Sequence, residues 1–190
     1  MSLIKKNSFH SLTISTLSPH GIGIGYLKKI PVYVANTVPG DMVAIKLIKV
    51  EKKRLFAKLC NIITPSADRV KPRCDVAHLC GGCQLQHIQF QSQLQFKQNI
   101  LIHQLSAVKR FDPAVLRPFI SLDDPWHFRN KMQFSFAKGP DGSIQIGLYA
   151  SRSHRVVDTN QCPIASSIIQ QTLRCIKQWS NTESLSVFNE

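Results

Sequence analysis

The sequence predicts a mainly β N-terminal part followed by an α+β second part, in a chain of 190 residues. Short apolar and β-branched runs separated by Pro and Gly turns fill residues 10–63, which is typical of small all-β domains. Beyond them, stretches with helical spacing alternate with a strand hairpin. Cysteines crowd the start of the second part and predict a metal site there. We therefore expect two domains, residues 1–65 and residues 66–190.

The first part is predicted to be a small closed barrel of the OB type. Its strand-like runs are "HSLTISTLS", "IPVYVA", "MVAIKLIKV" and "RLFAKLCNII". The "GIGIG" stretch is not a dinucleotide-binding fingerprint, because Tyr26 stands where the third glycine is needed and no helical pattern follows. It is interpreted as a glycine-rich strand with bends.

The last strand of the barrel has two contrasting faces. Leu55, Ala57 and Leu59 lie on one face and predict a core contact. The opposite face alternates cations with an aromatic ring, a pattern that suits base stacking and phosphate contact, and consists of Arg54, Phe56 and Lys58. The same alternation also fits an amphipathic edge strand with one exposed phenylalanine.

The second part is predicted to contain two helices and a hairpin. After a polar linker at 64–73, apolar spacing predicts a helix from Gln89 to Arg110, with Phe90, Leu94, Leu101, Leu105 and Val108 on one face. Alternation predicts a hairpin with Met132, Phe134, Phe136, Ile144, Ile146 and Leu148 on its buried side. A last helix is predicted to begin at Pro163, with Ile164, Ile168, Thr172, Ile176 and Trp179 on one face.

The charge of the chain and its expected compartment indicate which partners and cofactors it could bind. The chain has 24 Lys and Arg against 11 Asp and Glu, a formal net charge of +13. This excess favours a polyanionic partner, and nucleic acid is the commonest one. No apolar run is long enough to span a membrane, and no signal peptide is recognised at the N-terminus. We therefore expect a monomer in the reducing cytoplasm, where clustered cysteines more often bind metal than form disulfides.

Four of the six cysteines are candidate metal ligands. Cys74, Cys80 and Cys83 fall within ten residues, and Gly81 and Gly82 allow the tight backbone wrap that a C-x2-C pair needs. Cys162 precedes a proline in a loop, as a distant fourth ligand often does. Cys60 and Cys175 lie on a strand and a helix, and are expected to be ordinary buried thiols.

The 3+1 layout of these ligands favours a 4Fe–4S cluster over zinc, which usually takes two C-x2-C pairs or Cys with His. Zinc stays open as the alternative metal. His78 and His87 are near enough in sequence to act as substitute ligands.

These motifs resemble the RumA type of 23S rRNA uracil-5-methyltransferase. Residues 1–65, with "HGIGIGY" and "VPGD", resemble the family's TRAM domain, an OB-like RNA-binding barrel. The C-x5-C-G-G-C run and the distant C-P resemble its 4Fe–4S motif, which implies Cys74, Cys80, Cys83 and Cys162 as ligands. The stretch "WHFRNKMQFSF" resembles the strand that faces RNA in the family's central domain, which implies RNA contacts by Arg129 and Lys131.

The resemblance implies 23S rRNA as partner and S-adenosylmethionine (SAM) as the methyl donor of the whole enzyme. In the family a thiolate adds to C6 of uracil, C5 attacks the SAM methyl group, and a base removes the C5 proton to give 5-methyluridine. The Gly-rich SAM loop, the nucleophilic cysteine and the carboxylate base are not recognised in this sequence. We therefore expect the RNA-binding, cluster-carrying N-terminal half of such an enzyme, inactive by itself.

Other functions fit the sequence less well. Radical-SAM methylthiotransferases use a C-x3-C-x2-C triplet, whereas the first gap here is five residues. A ferredoxin-type electron carrier is usually acidic, and this chain is basic. A zinc- or Fe–S-containing RNA-binding module without a methyltransferase role stays open as the alternative.

Overall fold

The structure, a computed structural model, describes residues 4–108, 111–183 and 185–187. The chain divides into two compact units. The barrel unit comprises residues 1–71 and 84–121, and the cysteine unit comprises residues 72–83 and 122–190. The stretch 84–121 thus groups with the barrel, although the sequence predicted it in the second domain.

Five strands form the closed barrel predicted from the sequence. They are β1 (Phe9–Leu17), β2 (Gly23–Leu27), β3 (Ile30–Val34), β4 (Met42–Val50) and β5 (Leu55–Thr64). Their order around the barrel is β1-β2-β3-β5-β4, and β4 closes back onto β1. Every pair is antiparallel except β3 with β5, which run parallel. Closure pairs the backbone N–H and C=O groups that the edge strands of an open sheet would expose.

Alternating inward side chains fill the barrel. Its core consists of Leu12, Ile14, Val32, Val34, Val43, Ile45, Leu47, Leu55 and Ala57. Gly23, in the "GIGIG" stretch, lies so close to the Thr37 hydroxyl that an added Cβ would overlap it. The interpretation of this stretch as a glycine-rich strand is therefore consistent with the barrel's packing.

The segment predicted as a linker is anchored to the barrel. The Asp41 carboxylate is fully buried and accepts hydrogen bonds from the backbone of Val38 at 2.7 Å and of Ser66 at 2.9 Å. Arg69 pairs with both of its oxygens, at 3.0 and 2.6 Å. A buried charge needs such partners, and they hold residues 66–69 against the barrel.

The first helix, α1 (Phe90–Leu105), is shorter than the predicted Gln89–Arg110, and Arg110 lies outside the described residues. None of its residues is buried, so the predicted apolar face does not form a core. Leu101 is 40% exposed. The apolar spacing correctly predicted a helix, but the residues on its apolar face are not buried.

The cysteine unit contains a three-stranded antiparallel sheet of β6 (Ser135–Lys138), β7 (Ile144–Tyr149) and β8 (Val156–Asp158), in that order. The hairpin was predicted, but its first strand begins at Ser135 rather than before Met132. Phe136 is 45% exposed instead of buried. Ile144 and Ile146 are buried as expected, and Phe134 packs against them.

The second helix, α2 (Ser167–Thr182), begins four residues later than predicted. Pro163 precedes it, and Ser166 caps it by accepting a hydrogen bond from the Ile169 amide. Its buried residues are Leu173 and Ser180, whereas Ile168 is 73% and Trp179 57% exposed. The residues predicted to share one face of this helix are therefore not its buried residues. Within the described ranges, no helix has the length and apolar character to cross a membrane.

Candidate nucleic-acid interface and cysteine group

The outer face of β5 carries the alternation predicted from the sequence. Leu55 and Ala57 are buried in the barrel, Phe56 is half-buried, and Lys58 and Arg54 are exposed. Because side chains alternate along a strand, Phe56 and Lys58 project from the same outer face.

Phe56 stacks on Tyr33 of the parallel neighbour β3, with ring centroids 5.4 Å apart and ring planes 26° from parallel. The two residues are direct partners across the ladder. Tyr33 lies between buried Val32 and Val34, so alternation in "IPVYVA" could have placed it outward. The sequence analysis missed it, because the β3–β5 pairing has no local signal.

Two cations flank the Phe56 ring. Lys49 Nζ lies 5.8 Å and the Arg54 guanidinium carbon 5.5 Å from its centroid, within the range of cation–π attraction. The sequence predicted Lys49 only as one of several lysines near this strand and not beside the ring, since its position depends on a bulge. Lys46 pairs with Lys58 and Lys49 pairs with Phe56, so Ile48 is the extra residue of β4. In a regular ladder Ile48 would oppose Phe56, and the bulge places a lysine there instead.

Glu51 links these two cations. Its carboxylate lies 2.6 Å from Lys49 Nζ and 2.6 Å from Arg54 Nε. Hydrogen bonds from Lys49 and then Arg54 lower the pKa of Glu51, and the bond to Glu51 raises the pKa of Arg54. Glu51 therefore stays ionised and holds both cations beside the ring. It also neutralises part of their charge.

The other two predicted RNA contacts lie in the cysteine unit. Arg129 is half-buried, and Lys131 is exposed. Both precede β6 and therefore lie on irregular backbone, not on the strand expected from "FRNKMQFSF". The Arg129 backbone donates to the Ile164 carbonyl at 2.9 Å and accepts from Ser166 at 3.0 Å, which ties it to the loop after Cys162.

The four predicted ligand cysteines interact electrostatically. Burial raises the pKa of Cys74 and of Cys162, and repulsion from Cys80 and Cys83 raises the pKa of both further. Cys83 packs against the small buried cluster of Cys162, Ile164 and Ala165. Thiolates that repel one another are stabilised by a cationic centre, so this donor set suits a metal or a cluster.

Among the described residues, no group of three or more His, Cys, Asp or Glu is arranged to hold a metal ion. The assignment of Cys74, Cys80, Cys83 and Cys162 as ligands therefore stays a prediction.

The glycines between Cys80 and Cys83 act by close packing. Neither has a positive φ, so the tight wrap expected from the sequence does not use the left-handed backbone that glycine permits. The Gly81 amide donates to the Tyr149 carbonyl at 2.9 Å, and an added Cβ would lie 3.0 Å from that oxygen. The Gly82 amide donates to Cys80 Sγ at 3.3 Å. The cysteine turn thus lies directly on the end of β7.

The remaining candidates are arranged differently from expectation. Cys60 and Cys175 are exposed, so the prediction of buried thiols was wrong. His78 is exposed. His87 is buried in the barrel unit, where its Nε2 lies 3.3 Å from the Thr37 carbonyl, and burial lowers its pKa. We therefore assign His87 to barrel packing.

Residues 11–67 match the sequence family described as tRNA (uracil(54)-C(5))-methyltransferase, TRAM domain. The match covers β2 to β5 and all of β1 except its first two residues. The barrel is of the TRAM type. The α+β part follows this TRAM barrel as the sequence predicted, which confirms the fold class.

Longer similarities extend beyond the TRAM barrel. An uncharacterized RNA methyltransferase of Clostridium tetani is 36% identical over 187 residues, 98% of this chain and 40% of that protein. One from Listeria monocytogenes is 39% identical over 163 residues, 86% of this chain and 36% of that protein. The chain thus spans about two fifths of the length of these relatives.

The crystal structure of Pyrococcus abyssi tRNA (uracil-54, C5)-methyltransferase with S-adenosyl-L-homocysteine has a similar fold. The TM-score is 0.66 at 27% identity, over 94% of this chain and 38% of that one. The similarity therefore includes the cysteine unit as well as the TRAM barrel.

Proposed function

We propose that this chain is the RNA-binding and cluster-carrying part of a SAM-dependent RNA methyltransferase that forms 5-methyluridine. The observation that carries the proposal is the Phe56–Tyr33 stack with Lys49 and Arg54 beside it. Aromatic rings stack on unpaired bases, and neighbouring cations neutralise phosphates. The similarity to RNA methyltransferases over 98% of the chain supports the same function.

In this proposal the chain's residues hold and shape the RNA. Phe56 and Tyr33 accept a base, while Lys49, Arg54 and Lys58 neutralise the backbone on either side. Arg129 and Lys131 contribute a second set of cations from the cysteine unit. The methyl group comes from SAM when that cofactor is bound, and this step is proposed for the whole enzyme.

The RNA target is proposed to be 23S rRNA, as the cysteine motif and its flanking sequence imply. A second candidate is tRNA, because the matching family description and the similar crystal structure both name uracil 54 of tRNA. Binding of the chain to a 23S rRNA hairpin and to a tRNA, each at several salt concentrations, separates them. Tighter binding to the rRNA hairpin supports the first target, and tighter binding to tRNA contradicts it.

We further propose that Cys74, Cys80, Cys83 and Cys162 hold one 4Fe–4S cluster. All four belong to the cysteine unit, and repulsion between their thiolates is among the causes that raise the pKa of Cys74 and Cys162. The cluster would join the turn at 74–83 to the loop before α2, so we assign it a structural role. Its binding energy would then be largely folding energy.

The Cys162→Ser variant tests this ligand set. Anaerobically purified wild type is expected to contain iron and sulfide and to absorb broadly in the visible. Cys162→Ser is expected to lose the iron, the sulfide and the absorption. The matched control is Cys175→Ser, because Cys175 is an exposed thiol of α2 and its loss should leave iron unchanged. Full iron in Cys162→Ser contradicts the ligand set, and zinc without iron in wild type contradicts the cluster.

A further inference from the structure

A second exposed aromatic ring lies on the same outer surface of the barrel. Phe9, at the start of β1, is 66% exposed, and Lys46 Nζ lies 5.5 Å from its centroid. Its neighbours Ser11 and Thr13 also face outward, while Leu12 and Ile14 fill the core. Phe9 therefore belongs to the regular outward face of β1 and repeats the cation-and-ring pairing seen at Phe56.

The ladder registers connect the two rings. Phe9 pairs with Lys46, and Lys46 pairs with Lys58, which forms one row across β1, β4 and β5. Lys49 pairs with Phe56, and Phe56 pairs with Tyr33, which forms the next outward row across β4, β5 and β3. We call these six residues the outer strip.

The spacing of the rings bears on the kind of RNA that fits. Phe9 is two strands across from β5, and Lys58 is two residues along β5 from Phe56. Strand spacing near 4.8 Å and a rise near 3.4 Å per residue put the Cα atoms of Phe9 and Phe56 about 12 Å apart. Stacked bases of one strand follow each other at about 3.4 Å. Side chains that start this far apart suit two bases that are splayed apart better than two consecutive bases of a helix.

The charges of the outer strip suit the backbone between such bases. Lys46 and Lys58 lie in the same row as Phe9, with Lys58 two residues along β5 from Phe56, and Lys49 lies beside Phe56. The carboxylate of Glu51 is paired with Lys49 and Arg54 at the Phe56 end of this surface. Lys46 and Lys58 are therefore placed to meet the phosphates that link one ring's base to the other's.

We infer that Phe9 is a second base-stacking platform, and that the outer strip binds an unpaired, extended RNA segment with one base on Phe9 and another on the Phe56–Tyr33 pair. This inference rests on the proposed function, which requires only the Phe56 platform. It adds the class of RNA, which is single-stranded, and a residue that determines it.

The test compares binding of a single-stranded RNA octamer and of the same octamer annealed to its complement. The key variant is Phe9→Leu, which keeps apolar bulk at an exposed position but loses the aromatic face. It should weaken octamer binding roughly 5- to 150-fold, the loss expected for one stacked base, without changing the salt slope. Phe9→Tyr should restore binding, because it restores the ring.

Tyr26→Ala provides the matched control. Tyr26 is a 52% exposed aromatic on β2, where it pairs with Pro31 of β3 and with none of the six residues of the outer strip. Its loss should leave octamer binding unchanged. Thermal melting of every variant checks that the barrel stays folded.

The outcomes separate this inference from the proposed function. If Phe9→Leu binds the octamer as wild type does while Phe56→Ala binds more weakly, the second platform is refuted and the proposed function stands. If neither variant weakens binding, both fail. If Phe9→Leu weakens octamer and duplex equally, or Tyr26→Ala weakens the octamer as much, the assignment to unpaired bases at Phe9 is refuted.

Discussion

At the scale of single residues, Asp41 is a buried charge that joins the barrel strands to residues 66–69. Burial by itself raises the pKa of Asp41, but the hydrogen bonds from Arg69, Ser66 and Val38 together lower it below its ordinary value of 3.8. A carboxylate with a lowered folded-state pKa stabilises the fold above its unfolded pKa. That stability is lost as the pH falls below about 3.8 and through the folded-state pKa.

Asp41→Asn should therefore destabilise the chain by about 3 kcal/mol at pH 7, because it leaves the largely buried Arg69 without its charge partner. The variant should also lose less stability than wild type as the pH falls, because it lacks the carboxylate that becomes protonated. Urea unfolding from pH 7 to pH 3 measures both effects. Asp123→Asn, at an exposed position, is the control. Equal stability of Asp41→Asn and wild type at pH 7 contradicts this role.

Glu51 predicts a change in the salt dependence of RNA binding. Glu51 neutralises part of the charge on Lys49 and Arg54. Glu51→Gln frees both cations for phosphates, so affinity at low salt should rise and the logarithmic salt slope should steepen by about 0.7 for each added contact. Fluorescence anisotropy of a labelled single-stranded RNA from low to high salt measures the slope. An unchanged slope means that the two cations do not reach phosphate.

Alternation along one strand predicted Phe56 and its buried neighbours, but not what surrounds the ring. Tyr33 lies beside the Phe56 ring because β3 pairs in parallel with β5. Lys49 lies there because of the bulge at Ile48. Both depend on how strands meet in space, which local spacing does not encode. The same limit applies to Phe136, whose outward direction depends on where β6 begins.

At the scale of elements, the cysteine turn depends on its close packing against β7. Gly81→Ala would put a Cβ 3.0 Å from the Tyr149 carbonyl and 3.1 Å from the Ser151 backbone, which cannot yield as a side-chain tip can. We expect a loss of about 1–3 kcal/mol in stability, as for other overpacked sites, together with reduced iron content. Iron analysis and thermal melting measure the two effects.

Gly142→Ala separates these effects. Gly142 has φ +84° in the hairpin turn, and an added Cβ there would meet nothing within 4 Å. Alanine should cost about 1 kcal/mol through backbone strain alone, and iron content should not change. Iron loss in both variants would indicate that general destabilisation, not the cysteine turn, controls cluster content.

The helices show why element prediction succeeded in type and failed in detail. Spacing predicted both helices, yet none of α1 is buried, and α2 buries Leu173 instead of the predicted stripe. Periodicity predicts a helix with an apolar face, but it does not predict which part of the protein packs against that face. The start of α2 was missed because Pro163 is a common first helical residue, whereas the Ser166 cap sets the observed start.

At the scale of the whole molecule, the net charge of +13 favours a polyanionic partner, and we propose that this chain binds RNA while methyl transfer belongs to another part of the whole enzyme. The sheets of the described residues are a closed barrel and a three-stranded antiparallel sheet. SAM sites of the Rossmann type lie at the carboxyl ends of parallel strands. We therefore expect no SAM binding by this chain in calorimetry, and a measurable affinity would contradict that assignment.

The contribution of the cysteine unit to RNA binding has its own test. Arg129→Lys keeps the charge but loses the planar fork, so a stacked or forked contact would weaken while a purely electrostatic one would not. We expect weaker binding of the 23S rRNA hairpin with little change in salt slope. Lys131→Gln should instead weaken all RNAs alike and reduce the slope by up to about one unit. Wild-type affinity in both variants would remove the cysteine unit from the RNA site.

The central claim is that the barrel face around Phe56 binds RNA by stacking. The most direct measurement is the affinity of Phe56→Ala for the rRNA hairpin across a salt series, with Tyr26→Ala as control. We predict a loss of about 1–3 kcal/mol at every salt concentration with an unchanged slope for Phe56→Ala, and no loss for the control. Wild-type affinity of Phe56→Ala at every salt concentration would contradict the claim and leave only diffuse electrostatic attraction.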